Sequence, residues 1–143
     1  MTELVVLARI AGRRIAVNAL DVQSVVDLEE ITRVPGAPAH VAGVTALRSR
    51  ALTVIDMHLA IGEPTADGGS GRALVIEHEG HGYALMVEDV ADIVQVEGGL
   101  KQVPGGLSHQ WREIAAGLIE TSAGPALLID CRAALGAKPV EPV

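Results

Sequence analysis

An all-β fold, built as a pair of small barrels, is predicted by three observations. Hydrophobic residues make up 49% of the 143 residues, yet aromatics are only 1% and Phe is absent. The core must therefore come from Val, Ile, Leu and Ala, and the branched members of that set suit a pleated strand. Short apolar runs alternate with Gly- or Pro-containing polar breaks, as hairpins require. The chain also reads twice in the same order. With about five short strands per half, closing each set removes the sheet edges that otherwise recruit other chains.

Each half yields the same elements. LVVLARIAGRRIAVNAL (residues 4–20) is two apolar runs around a Gly-containing break, a hairpin, and LVIEHEGHGYALMV (74–87) repeats it around EGHG. A short strand follows at 22–28 or 90–96, and then a Pro-containing loop. SHQWREIAAG (108–117) reads as a longer helical stretch ahead of the last hairpin. Two more strands come at 44–47 and 51–55, matched by 118–121 and 126–129. Both halves close on an aspartate and a helical turn ended by glycine, DMHLAIG and DCRAALG. The carboxylates of Asp56 and Asp130 suit the orphan N–H groups opening those turns, and Gly62 and Gly136 suit their ends.

The alignment of the halves is residue by residue. AGRRIAVNALDVQSVV (11–26) lies over EGHGYALMVEDVADIV (79–94), pairing Gly12 with Gly80, Ala16 with Ala84, Asp21 with Asp89 and Val22 with Val90. Val34-Pro35 falls opposite Val103-Pro104 with a slip of one, Gly43 meets Gly117, and Val54-Ile55-Asp56 meets Leu128-Ile129-Asp130. The expected organisation is one duplicated domain over 1–143: repeat one at 4–62, an exposed linker at 63–71 (EPTADGGSG), repeat two at 72–136 and a frayed tail at 137–143. A chain of this length typically buries roughly 68–70% of its unfolded surface, so no staple is needed.

Composition removes several function classes. A net charge of −7 with scattered Lys and Arg repels phosphate backbones, and bases have almost no aromatics to stack on, so nucleic acid is not an expected partner. The lone Cys131 cannot form an internal disulfide, which fits a reducing compartment. The N-terminal charges follow the apolar run instead of preceding it, unlike a secretory signal. No apolar run approaches the roughly 20 residues that span a bilayer. The expectation is a cytoplasmic protein without direct membrane insertion.

Candidate catalytic and metal sites fail on spacing. HEGH (78–81) has two residues between its histidines where the zinc-protease motif has three, and it sits in a hairpin rather than on a helix face. His40, His58 and His109 are isolated. Cys131 lies on an apolar run without a CxxC partner and reads as a buried structural thiol. Asp56 and Asp130, equivalent in the repeat, read as paired caps and not as an acid and a base. Neither a metal nor a cofactor is expected.

Recognition remains. A feature shared by both halves serves the fold, whereas an unshared one is free to serve a partner. Arg48 and Arg50 have no counterpart in the second half, where TSAG fills the same turn. They are either solvated turn residues or a partner contact of the kind arginine favours, charged, planar and bidentate. Trp111, the single tryptophan, is a core filler or an interface anchor, with filler preferred.

The series GRRIAVNALDVQSVV, ITRVPGAPAHVAGVTALRSRALTVIDMHLAIG and LVIEHEGHGYALMVEDVADIVQV resembles the CheW-type chemotaxis adaptor family from about Leu4 to Gly136. Its most specific piece is TRVPGAPAHVAGVTALRSRALTVIDM: a Val-Pro loop, a Gly-Val strand, a turn like Asn-Leu-Arg-Gly and a Val-Ile-Asp strand end. The resemblance implies two intertwined, five-stranded SH3-like barrels without catalytic activity. It also implies an adaptor, peripheral to membrane-bound receptor arrays, that bridges chemoreceptor cytoplasmic tips to a histidine kinase through the kinase's own CheW-like regulatory domain. The family's turn arginine falls on Arg48, beside Arg50, with neighbouring contact positions at Val22, Gln23, Ser24 and Gly43; the receptor groove would be lined in part by Val87 and Val90. The chain departs from the pattern at Ala46, Ser49 and Thr53, and Ser24 stands where an acidic residue is frequent. Two other readings stay open: a small-ligand or metal-binding β-barrel with His78 and His81 at its mouth, and a homo-oligomer assembled through strand edges.

Overall fold

The structure, a computed structural model, describes residues 3–62 and 71–135. The expected linker (except Gly71), the cap at Gly136 and the tail at 137–143 lie outside the described residues.

Two hairpins open the two halves. β1 (Leu4–Ile10) turns into β2 (Arg13–Asn18), and β6 (Arg72–His78) turns into β7 (His81–Met86). Each turn has two residues with positive φ, Ala11 and Gly12 at 52° and 77°, and Glu79 and Gly80 at 52° and 78°. That backbone follows the right-handed twist of the flanking strands. The remaining elements are β3 (Val22–Asp27), β4 (Val41–Leu47), β5 (Arg50–Asp56) and α1 (Met57–Ala60) in the first half. In the second they are β8 (Asp89–Gln95), α2 (His109–Ile114), β9 (Ala115–Thr121), β10 (Gly124–Ile129) and α3 (Cys131–Ala134).

The strands form two five-stranded sheets, ordered β8-β1-β2-β10-β9 and β3-β6-β7-β5-β4. Neither sheet is one half of the chain: each half lends its opening hairpin to the other half's strands, so the sheets are intertwined. The splice is parallel in both, β2 with β10 and β5 with β7. In the first sheet a single bridge, Val96 to Thr121, links the ends of the outer strands.

The inner strands bury both faces, which explains their unbroken apolar runs. On β1, Val6, Ala8 and Ile10 point into a central cluster between the sheets, whereas Val5 and Leu7 join Ala16, Ile119 and Ala126 on the far side. On β6, Leu74 and Ile76 face the centre and Ala73 and Val75 the other way. The edge strands β3 and β8 are mostly exposed.

The expected caps form. Asp56 accepts the N–H groups of His58 and Leu59, and Asp130 those of Arg132 and Ala133. The repeated Gly43 and Gly117 also gain a reason: a Cβ on either would collide with a backbone carbonyl, Thr32 O or Lys101 O, where a loop bridges to the next strand residue, Val44 or Leu118. The helical stretch expected over 108–117 is shorter. α2 is capped by Ser108 and stops at Ile114, because Ala115 pairs with Ile129 and Gly117 with Leu128. Sheet pairing there outweighs the helix propensity of two alanines.

Trp111 is a core filler, 4% exposed in the central cluster, with the Arg13 guanidinium 5.4 Å from its ring centroid. Cys131 is buried, and desolvation, reinforced by Asp21 and Asp130, pushes its thiol up to about 12. Among the described residues no helix is long and apolar enough to cross a membrane.

Candidate functional site: the β4–β5 corner

β4 and β5 are joined by a two-residue turn, with Leu47 opposite Arg50 and both Arg48 and Ser49 in the left-handed region at φ 52° and 68°. The strand twist demands this turn geometry, but neither residue is one that adopts it cheaply; left-handed backbone costs an ordinary residue roughly 1–2 kcal/mol. The result is a sharp corner with Arg48 at its tip. Arg48 is exposed, and its guanidinium has no hydrogen-bond or ion-pair partner among the described residues.

Arg50, two residues on, points elsewhere. Its Nη2 lies 3.3 Å from Glu77 Oε1 and its Nη1 donates to Gln23 Oε1 at 3.2 Å, while Gln23 Nε2 donates to Glu77 Oε1 at 2.9 Å. The guanidinium reaches β6 and β3 by passing over β7 at Gly82, where a Cβ would stand 3.0 Å from Arg50 Nε and 2.5 Å from Leu52 Cδ2. The clasp ties β3, β5 and β6 across β7 and fixes the base of the corner.

The equivalent corner of the second half is held by hydrogen bonds. Arg14 donates to Ala123 O at 2.6 Å, and Thr121 Oγ1 accepts the Ala123 N–H at 3.1 Å and donates to Gly124 O at 2.7 Å. One of two matched turns is tied to a neighbouring strand by an arginine, although its Ser122 and Ala123 stay exposed. The other presents a bare cation. Beside it opens a shallow depression lined in part by Asp27, Glu29, Glu30, Thr45 and Leu47, so Arg48 stands at the border of an acidic surface.

The other expected contact positions divide. Ser24 is exposed on the edge strand β3, next to Gln23, which sits at a register shift between Val22 and Ser24. Val22 and Val90 are half-buried against the central cluster. Val87 is 5% exposed and belongs to that cluster, and Gly43 is buried beneath Thr32, so these two do not present side chains at the surface. Reasoning from sequence missed Glu77, since nothing in one dimension places β6 between β3 and β7.

The histidines are dispersed. His78 and His81 flank the β6–β7 turn; His81 stacks at a tilt on Tyr83, 5.1 Å between centroids, with Nε2 3.2 Å from Thr53 Oγ1. Among the described residues no group of three His, Cys, Asp or Glu is placed to hold a metal. His58, expected to stand alone, is instead buried and clasped to Glu88 at 3.1 Å.

The CheW-like domain model matches residues 4–138, nearly the whole chain. The chain belongs to the CheW-like domain family. Among individual proteins it is 27% identical over 127 residues to a probable chemotaxis protein CheW of Rhizobium etli, covering 87% of this chain and 82% of that one. Among solved structures it resembles the scaffolding protein TtCheW from Thermoanaerobacter tengcongensis, with a TM-score of 0.77, 23% identity and coverage of 90% and 89% of the two chains. The two five-stranded sheets of this chain thus belong to a CheW-like fold.

Proposed function

We propose that this CheW-like chain is a non-catalytic adaptor of bacterial chemosensory signalling, on the cytoplasmic side of the membrane, coupling chemoreceptor tips to a chemotaxis-type histidine kinase. The β4–β5 corner docks on the kinase's CheW-like regulatory domain, with Arg48 gripping a carboxylate and the exposed edge of β3 at Gln23 and Ser24 beside it. Receptor binding falls to a second surface near Val22 and Val90.

The observation that carries this reading is the inequality of the two matched turns: Arg14 hydrogen-bonds to one, and Arg48 on the other has no hydrogen-bond or ion-pair partner among the described residues. The family, and the chemotaxis and scaffolding roles named for its two relatives, support the same assignment. A stable contact of this type buries about 1,200–2,000 Å² in total, and a transient one less, so single contacts are modest and a repeated array supplies avidity.

Calorimetric titration of the chain with the regulatory domain of a chemotaxis-type kinase from its own cell, and separately with a receptor tip, tests the assignment. Saturable binding to both is expected. Heat of mixing alone with either protein contradicts it.

A further inference from the structure

We propose that His58 and Glu88 form a proton-operated latch between the two sheets, in which one imidazole nitrogen serves the β1–β2 turn or the Glu88 carboxylate according to its protonation. Three chain segments meet there. Ala11 and Gly12 form the turn of the first sheet's hairpin, His58 lies in α1 at the end of the second sheet's β5, and Glu88 sits in the passage from β7 in the second sheet to β8 in the first. His58 Nε2 is 3.1 Å from Glu88 Oε2 and also 3.3 Å from the Ala11 N–H that donates to it. A ring nitrogen carries either a proton or a lone pair, so only one of these contacts is a hydrogen bond at a time.

The surroundings decide what each state does. Glu88 Oε1 holds the Gly12 N–H at 3.0 Å, and Arg9 O holds the Glu88 N–H at 2.9 Å, so the carboxylate is anchored independently of the imidazole. From α1's own start, Asp56 Oδ1 caps the His58 N–H at 2.9 Å and lies 3.9 Å from Nδ1. From β1, Arg9 acts on Glu88 through space. The doubly protonated ring donates to Glu88 and abandons Ala11. The neutral ring with its proton on Nδ1, the side that faces Asp56 Oδ1, accepts from Ala11 and turns a lone pair toward Glu88. The neutral ring with its proton on Nε2 donates to Glu88 as the charged ring does. The His58 side chain is 10% exposed, so water has little access to replace the lost partner. Acidification therefore empties the Nδ1-protonated neutral form, tightens the α1 contact with the passage between the sheets and frees the hairpin turn at Ala11. The latch stands whatever the β4–β5 corner binds.

The test is nitrogen-15 NMR of the whole chain from pH 8 to pH 5, following the His58 ring and the Ala11 amide together. The Ala11 amide shift is expected to move with the same midpoint as the ring. Its exchange protection factor is expected to fall about fivefold, the loss of one neutral hydrogen bond. In Glu88→Gln, with the fold verified from the same spectra, the change at Ala11 is expected to move to lower pH. An Ala11 amide indifferent to pH while the ring titrates, a ring that does not titrate over this range, or an unmoved midpoint in Glu88→Gln would overturn the latch.

Discussion

Arg50 on β5 and Glu77 on β6 pair at 3.3 Å across an intervening strand, over the glycine at position 82 of β7. Both side chains are 41% exposed, so the pair itself contributes only about 0.2–1 kcal/mol. Its consequence is orientation. With Gln23 as the third member, the pair holds Arg50 against the sheet and leaves Arg48 as the projecting cation. Two arginines separated by one residue therefore differ in their surroundings, one held within the chain and one proposed to meet a partner.

Gly82→Ala tests whether that crossing needs an empty position. The added methyl would stand 2.5 Å from Leu52 Cδ2 in the buried cluster and 3.0 Å from the Arg50 guanidinium. Overpacking of this kind costs about 1–3 kcal/mol. Urea unfolding is expected to show that loss, and a midpoint equal to the wild type would mean that the clasp does not ride over the glycine.

Ser49→Gly is expected to stabilise the chain. Ser49 sits at φ 68°, where a side chain costs roughly 1–2 kcal/mol, and glycine returns about 0.5–1 kcal/mol of that as extra unfolded-state entropy. A net gain of about 0.5–1 kcal/mol, read as a higher urea midpoint, is the difference between those figures. A destabilised variant would show that the serine side chain makes a contact of its own.

Cys131 is expected to resist alkylation in the native state. Burial holds its thiol at about 12, so almost no thiolate, the reactive form, exists near neutral pH. Mass spectrometry after iodoacetamide treatment at pH 8 should find it unmodified until denaturant is added. Rapid native labelling would place the thiol at the surface.

Glu88 shapes the acid limb of stability. The Gly12 N–H, then His58, holds its carboxyl below the usual carboxylate range despite some desolvation. A depressed folded value means that the stabilisation is fully present above the unfolded pKa and is lost as pH falls through the folded one. Glu88→Gln is therefore expected to flatten the decline in urea stability as pH falls below the ordinary glutamate range. An unchanged decline would assign it to other carboxylates.

The fold was legible where physics is local. Turn glycines, capping aspartates and continuous apolar runs lie within a few residues of what they determine, and the match of Gly43 with Gly117 pointed to a shared constraint before its cause, a loop carbonyl, was visible. The exchange of hairpins came from family resemblance alone, since a hairpin's own sequence is the same whichever sheet receives it. The candidate site was half legible. Arg48 stood out by having no counterpart, but the partners of Arg50 and of His58 sit 27 to 47 positions away in sequence. Only the strand order brings them together. Val87 reads as one more apolar residue, and nothing local distinguishes a groove wall from the core position it takes.

The most direct measurement is the calorimetric affinity of Arg48→Glu for the kinase regulatory domain, beside wild type and Glu77→Gln. The expected result is at least a tenfold loss, about 1.4 kcal/mol or more, for Arg48→Glu, with an unfolding midpoint equal to the wild type. Glu77→Gln should lose less, because it loosens the base of the corner but keeps its tip. Undiminished binding by Arg48→Glu, or a loss fully matched by unfolding, would contradict the assignment of this corner as the docking surface.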